Sequence, residues 1–205
     1  MTRITRTPIA RLGPEIRVLG IDASLSSTGY SYRHSGKLYT GTVDSGKLRG
    51  PWRLYYIRKE ITKVLEAACP TVIVMEDYAQ GRGPSISMPF HIGELGGVLK
   101  TLFWESGIMV ILVSPKSLKM IIAGSGNAKK PEMCTALKAT FGYSIPQHDE
   151  ADALGLMLVG ELSNGLPVVS KEVREKLRLH TLGSFPVIAG KLQSIAKMKA
   201  VARSK

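Results

Sequence analysis

Cysteine is scarce in this chain of 205 residues: Cys69 and Cys134 are the whole complement. Two thiols without paired spacing exclude a thiolate metal cluster and a disulfide framework. Both fall within apolar helical patterns and are expected to be buried thiols of a reducing compartment. No apolar run approaches the ~18 residues of a membrane span, and no secretory signal pattern is present. A cytoplasmic protein with no membrane partner is expected. No internal repeat occurs, which weighs against architectures built from duplicated domains. Acids are the other shortage, 16 Asp and Glu against 28 Lys and Arg, for a net charge of +12.

That charge is unevenly placed. Residues 1–15 hold three Arg and one Glu (+2), residues 16–162 sixteen bases and thirteen acids (+3), and residues 163–205 nine bases and two acids (+7). Polyanion binding is the expectation, with the C-terminal extension contributing most. The opening MTRITRTPIARLG is Arg-rich and acid-poor. Transit peptides share that composition, but flexible basic arms are commoner, and organellar targeting is not the favoured reading. The chain thus divides into a basic arm (1–15), a core domain (16–162) and a basic extension (163–205).

Within the core domain, IRVLGIDAS (16–24) reads as a buried strand, and STGYSYRH and KLYTGTVDS as two more, turning at Ser35-Gly36. PWRLYYIRKEITKVLEAAC (51–69) has a favourable first-turn Pro and helical apolar spacing. TVIVMED (71–77) is a strand ending in acids. A Gly-, Ser- and Pro-rich loop (80–89) should lead to a helix from about His91 to Glu105, and IMVILVS (108–114) is the next strand. Helices at 115–122 and 131–141 flank a Gly-Ser-Gly loop. Three hairpin-like strands followed by alternating helices and strands imply an α/β fold with a mixed central sheet flanked by helices.

The few acids are where the chemistry lies. QHDEADALGLMLVGEL (147–162) opens with Asp149, Glu150 and Asp152 and is otherwise apolar almost all round, so its helix should be largely buried. Helix-start electrostatics explain Asp149. They do not explain Asp152, which shares a face with Leu156 and Val159 and needs a partner or a metal ion if buried. Asp22 and Glu76 each end a predicted strand, and ligands of open α/β sheets bind outside the carboxyl ends of parallel strands. Taken singly, a strand-end acid usually caps a turn. Four acids on these elements can converge, and clustered carboxylates require cations. Oxygen-only ligands favour Mg²⁺ or Mn²⁺, and two ions ~4 Å apart suit phosphodiester hydrolysis.

LGIDASLSSTGYSY resembles the opening strand and turn of RuvC-type Holliday-junction resolvases, in the RNase H-like superfamily. Glu76 and the DEADAL helix start fall where that family keeps its other acids. GELGGVL (93–99) resembles its Gly-rich helix. SPKSLKMIIAGSGNAKK (114–130) resembles its segment with a Lys before a Gly-x-Gly loop and another eleven positions later, here Lys119 and Lys130. The resemblance spans about 16–162, and the extended ends point to a bacteriophage member acting in the host cytoplasm. It implies an RNase H-like fold and a homodimer that binds four-way DNA junctions. Paired metal-dependent nicks would leave 5′-phosphate and 3′-hydroxyl ends, with no nucleotide cofactor. Asp22, Glu76, Asp149 and Asp152 become ligands of two Mg²⁺ ions, with Mn²⁺ able to substitute. Lys119 and Lys130 become phosphate contacts, joined as DNA-binding candidates by Lys129, Arg82 and Tyr78. The bland reading of each lysine is a solvated helix-end charge. Gly124 and Gly126 suit a loop whose backbone approaches phosphate.

The sequence departs from the family's pattern in one place. An aromatic wedge expected three residues past the catalytic Glu is replaced by Ala79. Tyr78, or Phe90 in the following loop, would either stack on an unpaired base or pack in the core. His148 either assists proton transfer or is simply a polar residue before a helix. His91 and Glu94, one turn apart, lack a further metal ligand nearby and are discounted. Rival readings are a related nuclease acting on flaps or forks, a non-catalytic DNA-architecture protein on the same scaffold, and an actin-like or sugar-kinase domain. GIDASLSSTG fits the last loosely, but such kinases require two duplicated domains. Four retained acids argue against the architectural protein, because acids repel DNA unless metal bridges them.

Overall fold

The computed structural model describes residues 16–77, 87–145 and 147–163. The expectations for the arm, for Tyr78, Ala79 and Arg82, and for the extension beyond Ser163 lie outside the described residues.

Strands β1 (Val18–Asp22), β2 (Ser27–His34) and β3 (Lys37–Asp44) form an antiparallel meander. Ser35 and Gly36 both have positive φ, 49° and 75°. That pairing closes a two-residue hairpin whose twist matches the strands. Strands β4 (Val72–Glu76) and β5 (Met109–Val113) then add in parallel, giving the order β3-β2-β1-β4-β5. Parallel pairing forces a crossover connection each time. Those crossovers are helices α1 (Gly50–Ala68) and α2 (Ser87–Glu105). Helices α3 (Pro115–Ala123), α4 (Lys130–Phe141) and α5 (His148–Ser163) follow β5. Because β1, β3, β4 and β5 run the same way, each ends at one edge of the sheet, and α1, α2 and α3 follow β3, β4 and β5 from that edge.

Period-two alternation sorts the strand side chains into two cores. Leu19, Ile21, Ile73 and Met75 face Ile57 and Ile61 of α1 and Leu95, Leu99 and Phe103 of α2. Val18, Val72 and Val74 face the other way, onto α5 with α3 and α4 behind it. Every residue from Ala153 to Glu161 is buried, which explains why α5 has no polar face: it lies between the sheet and two further helices. Among the described residues no helix is long and apolar enough to cross a membrane.

Two expectations are corrected. Cys69 is exposed, holding the left-handed C-cap of α1 at φ 44°, and Cys134 is only half-buried. Periodicity places a residue on a helix face but does not reveal whether a neighbour covers that face. Helix α2 starts at Ser87, four residues before the expected His91, so Phe90 lies in its first turn and not in a loop. Pro89 ends no helix there, because a first-turn N–H has no intrahelical partner to lose.

Candidate active site

The register of the sheet brings two acids together. Ile21 pairs with Met75 across the parallel β1–β4 ladder, so the next positions, Asp22 and Glu76, are neighbours at the carboxyl edge. Both share parity with Val18 and Val74, so both side chains lie on the α5 face. The backbone beyond β1 is held in place: the Thr28 hydroxyl donates to the Ser24 carbonyl at 2.7 Å, and the Ser45 hydroxyl to the Leu25 carbonyl at 2.6 Å.

Helix α5 delivers the other two acids, and glycines set its depth. A Cβ on Gly20 would collide with the Ala153 carbonyl oxygen and stand 2.5 Å from the Met157 amide nitrogen. A Cβ on Gly29 would collide with the carbonyl of Asp149. Only missing side chains on β1 and β2 let the first turns of α5 lie directly on the sheet, with Asp149 and Asp152 beside Asp22. Backbone touches backbone here.

The carboxylates then repel one another. Burial pushes Asp22 up to about 8, helped by Glu76, Asp152 and Asp149 and opposed by Lys130. Glu76 is pushed up to about 7, by burial first and then by Asp152, with Lys119 and Lys130 opposing. Asp152 is also raised, mainly by burial, against the pull of Lys130, Lys119 and His148. Four acids clustered in a water-poor recess form a site short of positive charge.

Lys130, the first residue of α4, partly supplies it: its ammonium donates to Asp149 at 3.3 Å. Burial disfavours its charge, but Asp149, Asp152 and Asp22 outweigh that and raise its pKa. Lys119 on α3 acts on Glu76 and Asp152; α3 is started by Ser114, whose hydroxyl accepts the Ser117 N–H at 3.1 Å. Lys129 is exposed at the N-cap of α4, and its backbone N–H donates to Glu132 at 2.6 Å. Gly124 closes α3 at φ 74°, while Gly126 packs against Lys116, so both have duties inside the protein. His148 is the exposed first residue of α5, its Nδ1 3.5 Å from Cys134 Sγ. Glu150 turns away from the other acids and accepts the Thr40 hydroxyl at 2.6 Å. His91 and Glu94 pair with each other at 3.1 Å.

The donor set suits a hard divalent cation: oxygen ligands only, on carboxyl groups that burial and then their acidic neighbours push toward protonation. Yet no group of three or more His, Cys, Asp or Glu among the described residues is drawn close enough to cage an ion. The glycine seats, the Thr40–Glu150 bond and the Cys134–His148 contact are not evident from the sequence pattern. The Gly-Ile-Asp triplet and Gly29 opposite it could have signalled close helix approach; the other two depend on tertiary contact.

Comparison with known proteins identifies the family and the fold. Residues 18–160 match the family model for crossover junction endodeoxyribonuclease RuvC. The enzyme of that name from Hydrogenovibrio crunogenus is 30% identical over 144 residues, covering 67% of this chain and 83% of its own. The one from Corynebacterium glutamicum is 31% identical, covering 69% of this chain and 67% of its own. Thermus thermophilus RuvC shares the fold, with a TM-score of 0.59 at 21% identity over 73% of this chain and 97% of its own. A mixed sheet with acids at its carboxyl edge, matched to one family model along most of its length, belongs to the RuvC family of crossover junction endodeoxyribonucleases.

Proposed function

We propose that this protein resolves four-way DNA junctions, using Asp22, Glu76, Asp149 and Asp152 to hold two Mg²⁺ ions, with Mn²⁺ able to substitute. The observation that carries this reading is the convergence of Asp22 and Glu76, adjacent in register, with the first turns of α5 seated on Gly20 and Gly29. Bound cations supply an activated water and stabilise the leaving oxygen. The chain's own part is to fix the acids on strand ends and a buried helix, and to present Lys119 and Lys130 to the scissile phosphate.

Two nicks at symmetry-related points call for a two-fold pair of active sites, and hence a homodimer. The outer faces of α1 and α2 expose Trp52, Tyr55 and Trp104, apolar surface of the kind that covers itself with a partner. A relative of the same fold, Thermus thermophilus RuvC, has been solved in complex with a Holliday junction substrate.

The test is Mg²⁺-dependent cutting of matched four-way junction, fork, flap and linear duplex. Paired nicks in the junction, with ligatable 5′-phosphate and 3′-hydroxyl ends, are expected. Faster cutting of flaps or forks would assign the protein to branched substrates of another shape.

A further inference from the structure

A cavity of about 480 Å³ opens between the N-terminal ends of α1 and α2, outside the carboxylate cluster. Half-buried Leu25 and Leu54 give it an apolar floor with exposed Pro51 beside them, and Arg49 and Arg53 also line it. His91 and Glu94 line the α2 side, and their pairing at 3.1 Å turns the one acid among the described lining residues toward the histidine. Among the described residues the two arginines are hydrogen-bonded only to neutral carbonyls. Arg49 donates to Gly46 at 3.3 Å and Leu48 at 2.7 Å, and Arg53 Nε donates to Leu48 at 2.7 Å. Each guanidinium is held along part of its edge, and among the described residues no carboxylate pairs with it.

A second cavity of about 490 Å³, between α1 and the β2–β3 hairpin, makes a useful contrast. It is lined by Asp44 and Glu60 beside Lys63, which gives it no attraction for a polyanion. Charge thus separates two recesses of equal size. Position separates them further. Leu25 lies three residues past Asp22, and at ~3.3–3.6 Å per residue the floor begins within about 11 Å of that backbone position. That distance is roughly three steps along one strand of B-DNA.

We propose that this cavity binds an unpaired nucleotide of the strand being cut, with its phosphate between Arg49 and Arg53 and its base on Leu25, Pro51 and Leu54. The inference rests on the junction-cutting reading and adds a contact on the side of the acids away from Lys119 and Lys130. A fixed apolar floor favours a base that has left its stack, and guanidinium groups favour phosphate over other anions of DNA size. A base at a branch point has an interrupted stack and leaves it at lower cost than a base inside continuous duplex.

The experiment uses the full chain in EDTA, where binding is read without cutting, after wild-type cleavage in Mg²⁺ has located the cut position. Junctions carrying 2-aminopurine at successive positions beside that cut report unstacking. Wild-type protein should brighten one position. Leu54→Trp, which fills the floor, should abolish that brightening. The double variant Arg49→Ala/Arg53→Ala should weaken junction binding about ten-fold and lower the slope of log K against log salt by about 0.7–1.8, one or two phosphate contacts. Melting curves matching wild type establish that each variant is folded, and the arginine pair decides the matter alone if Leu54→Trp is not. Wild-type affinity and slope in the double variant, with the wild-type protein cutting junctions, overturns the proposal. So does a double variant that sediments as a smaller species with its salt slope intact, which would assign the cavity to a second copy of the chain. Failure of the wild-type protein to bind or cut branched DNA would instead bring down the junction reading beneath it.

Discussion

Asp152 sits one helical turn beyond Asp149, on a buried face, with Glu76 and Asp22 as electrostatic neighbours. Asp152→Asn is therefore expected to abolish cleavage in Mg²⁺ while leaving junction binding in place, as gel shift and cleavage assays on one preparation would reveal. Glu150→Gln should stay within a few-fold of wild type, because its carboxylate is engaged by Thr40 at 2.6 Å and not by the other acids. Normal cutting by Asp152→Asn would reduce the acids to helix-start electrostatics, worth ~0.3–1 kcal/mol each. Lys130→Ala should lower the single-turnover rate more than the affinity if its amine meets charge that develops at the transition state. Weaker binding with unchanged turnover would make it a positioning contact. The same acids set a pH dependence. Folding raises Asp22 to about 8 and Glu76 to about 7, so between the ordinary carboxylate range and those values the folded chain holds more protons than the unfolded one. Stability of the metal-free protein must then fall as pH rises through that window. Urea melts in EDTA at about pH 5 and about pH 8 should record the loss, Asp22→Asn should flatten it, and Mg²⁺ should offset it most at the higher pH.

At the scale of elements, the depth at which α5 seats on the sheet is the controlling quantity. Gly20→Ala inserts a methyl group where the Ala153 carbonyl and the Met157 amide already stand. Overpacking of this kind costs about 1–3 kcal/mol, and here it also lifts Asp149 and Asp152 away from Asp22. The expected outcome is a lower melting temperature together with a loss of cleavage larger than the stability change explains. Wild-type activity in a folded Gly20→Ala protein would mean that the acids tolerate displacement. Much of this arrangement is legible in the sequence. Alternation and helical spacing locate the ten elements of the described residues, and apolar residues all round α5 announce a buried helix, because periodicity follows from which faces are covered. The same reasoning fails where a neighbour decides. Cys69 has helical apolar company, yet it lies at the chain's exit from α1 and is exposed. The loop composition before Phe90 hides an earlier helix start, since residues that break a helix are tolerated in its first turn. Asp22 and Glu76 could be placed at strand ends but not in adjacent registers, which needs the β1–β4 pairing. The cavity beside α1 could not be read at all, because Arg49 and His91 meet only through the packing of two helices far apart in sequence.

Across the whole molecule, positive charge is concentrated at the end that follows α5. Residues 168–205 carry nine Lys and Arg against two Glu, so removing them takes 7 charges from a total of +12 and leaves +5. Among the described residues, Lys119 and Lys130 are the lysines set against the carboxylates, and part of their charge is spent on neutralising them. Non-specific attraction to the DNA backbone should therefore come largely from the extension, while shape selectivity should come from the folded core. Deleting residues 168–205 is expected to weaken binding to junction and linear duplex alike. It should also lower the slope of log K against log salt by about 0.9 for every duplex phosphate that the extension neutralises. The ratio of junction to duplex affinity at fixed salt should be preserved. Titrations at three or more salt concentrations measure both quantities, and sedimentation of the same samples reports the oligomeric state. An unchanged slope with a shift toward monomer would assign the extension to the contact between subunits, and its charge would then serve assembly and not the DNA.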